Sequence, residues 1–589
     1  CDLGIEFLLE KKGVPFISAE GLRSVSAHES LLDAKFLGEK IFGISAAPFF
    51  SHRGISLGRL FVPALQYYLG HVFCHMDMAA STLGRGYERI VMFGHSGDDE
   101  PFAGSVLEPY NLRAFFDTFK SACAERGVRF DAVMPKRRVS IWRRQLFKIT
   151  FVLKRRLFGL GVHLLNMFVR LSIRKKRVRI LGSEYWKNLS ALVNEMPDAE
   201  VLLVDRTESF VAGWLNIVRH RMQFVHGNDF LSAQTRRNAQ LEASAFAREW
   251  AKVKEDNSAF VTASVRGLSL RSVLEPVLVA ILEASGQVIE DIDGTWAMLG
   301  KLKPDAVIVR ASISVQTHFA VLCEVARLCN IPSIEIQHGV FSMGPESLSV
   351  DHAAEFIADY GPVERVIWKK YGYAPRSAFI DVGSPRFDEY ASLRHKRTGG
   401  RFTVLYIAPQ LTPSEWMNTY DIFDYFKTMA EAARAVPDLH IIIKLRPGDG
   451  NSLFFKEAVA RAIKGLSYEV MAREPLVRLL AEVDAVVSCH STAILEALLA
   501  RQPVIFDATP AVHKKLLLSD FGPHVEAGVL IPAEGETALA KCLNDLASNP
   551  REREAQATRA SVFMQKNYLF SDGRASTRLA EAIRTLSKK

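Results

Sequence analysis

The sequence is poor in cysteine. Its seven cysteines (Cys1, Cys74, Cys123, Cys323, Cys329, Cys489, Cys542) are scattered, odd in number and nowhere at metal-finger spacing. That excludes a disulfide framework and a zinc finger and points to a reducing compartment. Internal repeats and low-complexity tracts are also missing. No Asp-x-Asp pair stands at the end of an expected strand, so no metal is expected. Acidic residues vanish from one stretch: residues 136–179 hold 15 Lys or Arg and no Asp or Glu. The longest uncharged apolar run in that stretch, residues 157–169, has 13 residues. As a helix it would reach about 20 Å, against about 30 Å for a hydrocarbon core, so it should not span a bilayer.

What remains is the composition of a folded globular protein, 48% apolar and 24% charged. A chain of 589 residues exceeds one core and implies two to four domains. It begins with Cys, in a pattern that reads as mid-helix, so a fragment is expected. The net charge of +9 belongs to the basic stretch, and the other residues sum to about −6 once its 15 charges are removed. In that stretch Arg143, Arg144, Lys154, Arg155 and Arg156 alternate with Trp142, Leu146, Phe147, Phe151, Leu157 and Phe158. The pattern suits a helix lying in the interface of an anionic membrane. A buried helix flanked by solvated charge is the plainer alternative. Nucleic acid is not expected, since no recognition motif accompanies the segment.

Elsewhere short apolar runs alternate with helical periodicity, the pattern of a doubly wound α/β fold. Strands are expected at residues 87–93, 130–134, 178–182, 201–204, 305–309 and 332–337. Helices are expected at 57–78, 112–126, 232–254, 268–299 and 315–329. The strand at 87–93 runs into Gly94-His-Ser-Gly-Asp98-Asp99-Glu100, at the usual ligand side of an open sheet, though such residues are also ordinary loop formers. The strand at 332–337 empties into Gln337-His338-Gly339, where the glycine permits a sharp turn. His338 there could serve as a general base or be merely structural. A Gly383-Ser384-Pro385 turn and the polar run 394–401 then mark a boundary near 390. This gives domains of 1–389 and 390–589.

The second domain restarts the rhythm with strands at 402–408 and 439–445. The latter ends in Lys444-Leu445-Arg446-Pro447, which brings fixed positive charge to the ligand edge. An apolar run at 483–487 leads into Ser488-Cys489-His490-Ser491-Thr492 and a helix containing Glu496. Ser491 or Thr492 can cap that helix. A strand, a small polar elbow and a helix N-terminus together make an anion site, and a carboxylate one turn on can accept from ribose hydroxyls. Without a ligand the same residues make an ordinary βαβ corner.

Gln337-His338-Gly339, Gly383-Ser384-Pro385-Arg386-Phe387-Asp388, Lys444-Leu445-Arg446-Pro447 and the Ser488–Thr492 cluster with Glu496 resemble the motifs of two-domain GT-B glycosyltransferases. Among them the chain looks most like bacterial surface-polysaccharide enzymes, the CDP-glycerol glycerophosphotransferases and the bacterial sialyl- and Kdo-transferases. The resemblance covers roughly residues 300–515 well, and the first 300 by pattern. It implies two Rossmann-like domains with a basic helical insertion, and His338 as the base, with Asp98, Asp99 or Glu100 in reserve. It also implies donor phosphates held by Lys444, Arg446, Pro447, Ser488, His490, Ser491 and Thr492, and a ribose on Glu496. The family's Lys-x-His-Pro motif has Arg446 in its third place, which can stabilise charge and not donate a proton. The implied activity is transfer of a sugar or related group from a nucleotide-activated donor to a lipid-linked or glycan acceptor. That work belongs to capsule or lipopolysaccharide assembly, with no cofactor. The implied place is the inner face of a bacterial plasma membrane. UDP-N-acetylglucosamine 2-epimerases share the architecture, and a non-catalytic scaffold of the same fold is the reading from another class.

Overall fold

The computed structural model describes residues 12–13, 27–42, 47–93, 108–133, 161, 166–167, 178–184, 186–204, 222–313, 316–340, 352–370, 376–393, 400–409, 411, 419–446, 449, 455, 459–509 and 511–588. Asp98, Asp99, Glu100, Arg143, Arg144, Lys154, Arg155, Arg156 and Pro447 lie outside them, as does nearly all of the basic segment.

Two parallel sheets carry the chain. The first contains β1 (Val178–Ser183), β2 (Ala199–Val204), β3 (Gln223–Val225), β4 (Ala306–Val309), β5 (Ser333–Ile336), β6 (Phe356–Ala358) and β7 (Ala378–Ile380). Their order across the sheet is β7-β6-β5-β4-β1-β2-β3, and every pairing is parallel. The second contains β8 (Thr403–Ile407), β9 (His440–Lys444), β10 (Tyr468–Met471), β11 (Ala485–Ser488), β12 (Val504–Asp507) and β13 (Leu530–Ala533). Here the order is β10-β9-β8-β11-β12-β13, again all parallel. Both sheets follow the same rule: the chain steps outward through three strands, crosses back, and steps outward the other way. That is the Rossmann order, and the two domains are Rossmann-like. The direction reverses between β1 and β4 in one sheet and between β8 and β11 in the other.

The central strands are made for this position. Every residue of β4, β5, β11 and β12 is buried, because a parallel sheet carries helices on both faces. On one face of the first sheet the helices Ala27–Phe42, Leu57–Leu83, Glu108–Glu125, Ala233–Val253 and Arg271–Leu302 share one apolar core. The last of these is long and apolar enough to cross a membrane, yet Leu274, Leu278, Ile281 and Ile289 are fully buried within that core. It starts at Arg271, later than the expected residue 268. Leu268–Ser269 pairs instead with Ser264–Val265, through a turn in which Arg266 and Gly267 both take positive φ. Residues 268 and 269 are therefore extended, and the helix can begin only after them. The strands Arg89–Phe93 and Arg129–Val133 form a separate parallel pair.

The two halves are tied together at the end of the chain. The final helix, Ala575–Leu586, returns to the first sheet, where Leu579, Ala580 and Ile583 pack with Ile180, Leu189 and Ile308. Asp388 fixes its start by accepting from Ala575 N and Ser576 N at 2.9 Å each and from Ser576 Oγ at 2.6 Å.

Candidate functional site

Open α/β sheets bind ligands beyond the carboxyl ends of their strands, where the strand order reverses. In the first sheet that end carries Arg310, after β4, and Gln337-His338-Gly339, after β5. In the second it carries the Ser488–Thr492 elbow, after β11. The two ends meet. Val340 N donates to Thr492 Oγ1 at 3.2 Å, and a Cβ on Gly339 would lie 3.3 Å from the same oxygen. Glycine is what allows the close approach.

Gln337 holds the loop in shape. Fully buried, it donates from Nε2 to Gly339 O at 3.0 Å and to Glu364 at 3.3 Å, and accepts from Tyr360 N at 2.8 Å. His338 is thereby exposed toward the cleft. Its Nδ1 lies 3.1 Å from Arg310 O. A carbonyl only accepts, so the proton sits on Nδ1 and the lone pair on Nε2. Desolvation by the surrounding walls, reinforced by Arg386 and Arg310 and opposed by Glu335, moves the imidazole below its ordinary pKa. A neutral ring with its lone pair on Nε2 can take a proton near pH 7.

Arg386, from the Gly383–Asp388 motif, stands beside it and has no expected role of its own. Its Nη2 donates to His338 O at 2.7 Å and to Tyr360 OH at 2.9 Å, and its guanidinium lies 4.5 Å from the Phe387 ring centre. Burial opposes its charge, but Tyr360 and Glu496 outweigh burial and raise its pKa. Its Nε is buried and has no hydrogen-bond partner among the described residues. The turn before it works as expected: Gly383 takes φ +83°, and a Cβ there would meet Phe570 N at 3.1 Å. Ser384 is fully buried and Pro385 opens the 3-10 helix Pro385–Ser392. Tyr390 of that helix donates to Glu496 Oε2 across the cleft.

The elbow differs in detail from expectation. The helix after it, Ala493–Leu499, has seven residues, too short for much macrodipole. Ser491 Oγ accepts from Ala493 N at 3.2 Å, whereas Thr492 makes no cap bond and reaches to Val340 instead. Ser488 Oγ donates to Cys489 O at 3.0 Å. His490 Nε2 pairs with buried Asp520 at 2.9 Å. Lys444 Nζ donates to Leu445 O at 2.7 Å and Ala472 O at 2.9 Å, and desolvation lowers its pKa. Arg446, next along, is exposed. Among the described residues no group of three or more His, Cys, Asp or Glu side chains is placed to hold a metal ion.

No protein-family model matches the chain, and no curated protein matches it. Solved structures of the GT-B type are similar to it in shape. A UDP-GlcNAc 2-epimerase from Neisseria meningitidis bound to UDP-GlcNAc is 12% identical over 69% of this chain and 99% of its own, with a TM-score of 0.44. MurG from Acinetobacter baumannii is 12% identical over 70% and 99%, with a TM-score of 0.39. The wall teichoic acid polymerase TagF, soaked with CDPG, is 10% identical over 76% and 97%, also at 0.39. At these values the fold class rests on the two sheet orders themselves. Beyond the expected residues, the site gains Arg386, Tyr360, Tyr390 and Glu364. None lies at a spacing that betrays it, because they come from three places: the 3-10 helix Pro385–Ser392 for Arg386 and Tyr390, the end of β6 for Tyr360 and the helix Pro362–Lys370 for Glu364.

Proposed function

We propose that the chain is a metal-independent glycosyltransferase of GT-B type that uses a nucleotide-activated donor. One observation carries this reading: the contact between Val340 N and Thr492 Oγ1 closes a base-bearing strand end onto a small polar elbow, at the switch points of two Rossmann-like sheets. The nucleotide sits on the second domain, with its phosphates between the Ser491–Thr492 elbow and the cations Arg446 and Lys444. Positioned cations of this kind stabilise a departing phosphate. The acceptor lies on the first domain. Its hydroxyl oxygen bonds to the anomeric carbon as the bond from that carbon to the phosphate oxygen breaks, and its proton passes to His338 Nε2. The acceptor is a lipid-linked or surface glycan, and the basic segment at 136–179 docks the enzyme on the inner face of the plasma membrane.

The test is thermal stabilisation of the folded protein by CMP, CDP, UDP and GDP. A ligand at about 100 times its Kd adds about 2.7 kcal/mol. One nucleotide should stabilise the wild type and lose its effect in Arg446→Ala. Protection by none of the four would sink the transferase reading. Conversion of a free nucleotide sugar without any acceptor would replace it with the epimerase.

A further inference from the structure

Arg386 enters the cleft from the first domain, at the second position of the 3-10 helix Pro385–Ser392. Its backbone is fixed before its side chain: Arg386 N donates at 2.9 Å to Oδ1 of Asn188, which is fully buried. The guanidinium lies over the Phe387 ring and spends both hydrogens of Nη2 on neutral acceptors, His338 O at 2.7 Å and Tyr360 OH at 2.9 Å. Tyr360 is itself buried, and its N–H donates to Gln337 Oε1 at 2.8 Å. The guanidinium is therefore held in one place. It has five N–H donors. Nε and Nη1 carry the other three, and these make no hydrogen bond among the described residues.

The second domain meets this side chain with hydroxyls oriented as donors. Thr492 Oγ1 accepts from Val340 N, and Ser491 Oγ accepts from Ala493 N, at 3.2 Å each. Those N–H groups occupy a lone pair on each oxygen, and neither hydroxyl gives its own proton to a described residue. Thr492 and Arg386 bind the same short loop, the one at Val340 N and the other at His338 O. One turn along the 3-10 helix, Tyr390 donates to Glu496 of the elbow helix Ala493–Leu499. The 3-10 helix thus rests on the elbow, with Arg386 at its start. An elbow helix of seven residues supplies little field of its own, so side chains must hold any anion here.

We propose that Arg386 is a first-domain ligand of the donor's phosphate, held jointly by its guanidinium and the Thr492 hydroxyl. This rests on the nucleotide reading of the cleft. The fixed fork of a guanidinium matches phosphate oxygens, and a hydroxyl with an occupied lone pair donates to another of them. The phosphate then bridges the two domains beside His338, which fixes the leaving group against the domain that carries the acceptor.

Calorimetric titration of the full chain tests it, with inorganic pyrophosphate, with CMP, CDP, UDP and GDP, and with the uncharged nucleosides. Pyrophosphate and one nucleotide should bind wild type. Arg386→Gln should weaken both at least about tenfold, the size of lost charge-assisted hydrogen bonds. The matching nucleoside should bind equally to the two proteins, and a nucleoside loss as large as the nucleotide's would overturn the proposal. Tyr360→Phe removes an acceptor of the guanidinium and none of its donors, so it should cost pyrophosphate less than Arg386→Gln does. Equal losses would make Arg386 a strut of the loop and overturn the proposal. Arg386→Lys keeps the charge without the fork, so its affinity should fall between wild type and Arg386→Gln. It also serves if the Gln variant does not fold, and wild-type affinity in folded Arg386→Lys would overturn the proposal. Pyrophosphate that binds through Arg386 while no nucleotide binds would keep the oxyanion site and overturn the nucleotide reading alone. A nucleotide that binds independently of Arg386 would keep that reading and overturn this proposal. Binding of neither by folded wild type would overturn both.

Discussion

At the residue scale, the cleft depends on which side chain is neutral and which is charged. His338 titrates below its ordinary value of 6.5 because its walls desolvate it and two arginines face it. A general base works when unprotonated, so the acid limb of kcat/KM should inflect below pH 6.5. Activity at pH 6.5 should exceed half its plateau, and His338→Ala should abolish that limb along with most of the rate. An inflection at or above pH 7 in wild type would rule His338 out as the base. Thr492 makes a different kind of contribution. Thr492→Val keeps the shape but leaves the half-buried Val340 N–H without its acceptor, a loss of about 1–3 kcal/mol. Urea denaturation should show that loss, and a change under a few tenths of a kcal/mol would mean that water replaces the hydroxyl.

At the scale of elements, the chain closes on itself through a cap far away in sequence. Asp388 lies in the 3-10 helix before the second domain and caps the helix Ala575–Leu586. Asp388→Ala should cost about 0.5–2 kcal/mol, the usual range for a lost N-cap. Leu579→Ala, which empties a fully buried position on the same helix, should cost about 2–5 kcal/mol. Melting both variants against wild type checks the order, and equal losses would mean that the helix is held by its cap and not by its face. This tie also shows what a sequence can and cannot disclose. Buried strands such as β4, β11 and β12 are legible, since a run of Val, Ile and Ala flanked by turn formers has few alternatives. Phe356–Ala358, Gln223–Val225 and the edge Tyr468–Met471 are not, because the first two have only three residues and the third is mostly exposed and lacks an apolar run. The elbow and Gln337-His338-Gly339 are legible from their place after strands. Arg386 is not, because nothing local says that a turn residue will reach the carbonyl of a histidine 48 positions earlier.

At the scale of the whole molecule, a buried polar chain joins the two domains. Gln337 Nε2 donates to Glu364, Glu364 bonds to the Tyr568 hydroxyl, and that hydroxyl lies 2.8 Å from His524 Nε2. Burial pushes Glu364 up to about 8 and His524 down to about 3. The two groups act on stability in opposite directions. Glu364 binds its proton more tightly folded than unfolded, so its contribution is full below pH 4.5 and is lost as pH rises through 8. His524 binds its proton less tightly folded, so its contribution is full above pH 6.5 and is lost as pH falls toward 3. Between 4.5 and 6.5 the slopes offset each other, and between 6.5 and 8 Glu364 acts alone. One proton changes stability by at most about 1.4 kcal/mol per pH unit, so the wild type should lose on the order of 1–2 kcal/mol across that upper window. Glu364→Gln, which cannot ionise, should flatten the curve there and leave the acid side below pH 4.5 unchanged. Urea melts at half-unit steps of pH would show it. An equal fall in both proteins above pH 6.5 would place the titrating group elsewhere and leave the interdomain chain charged at neutral pH.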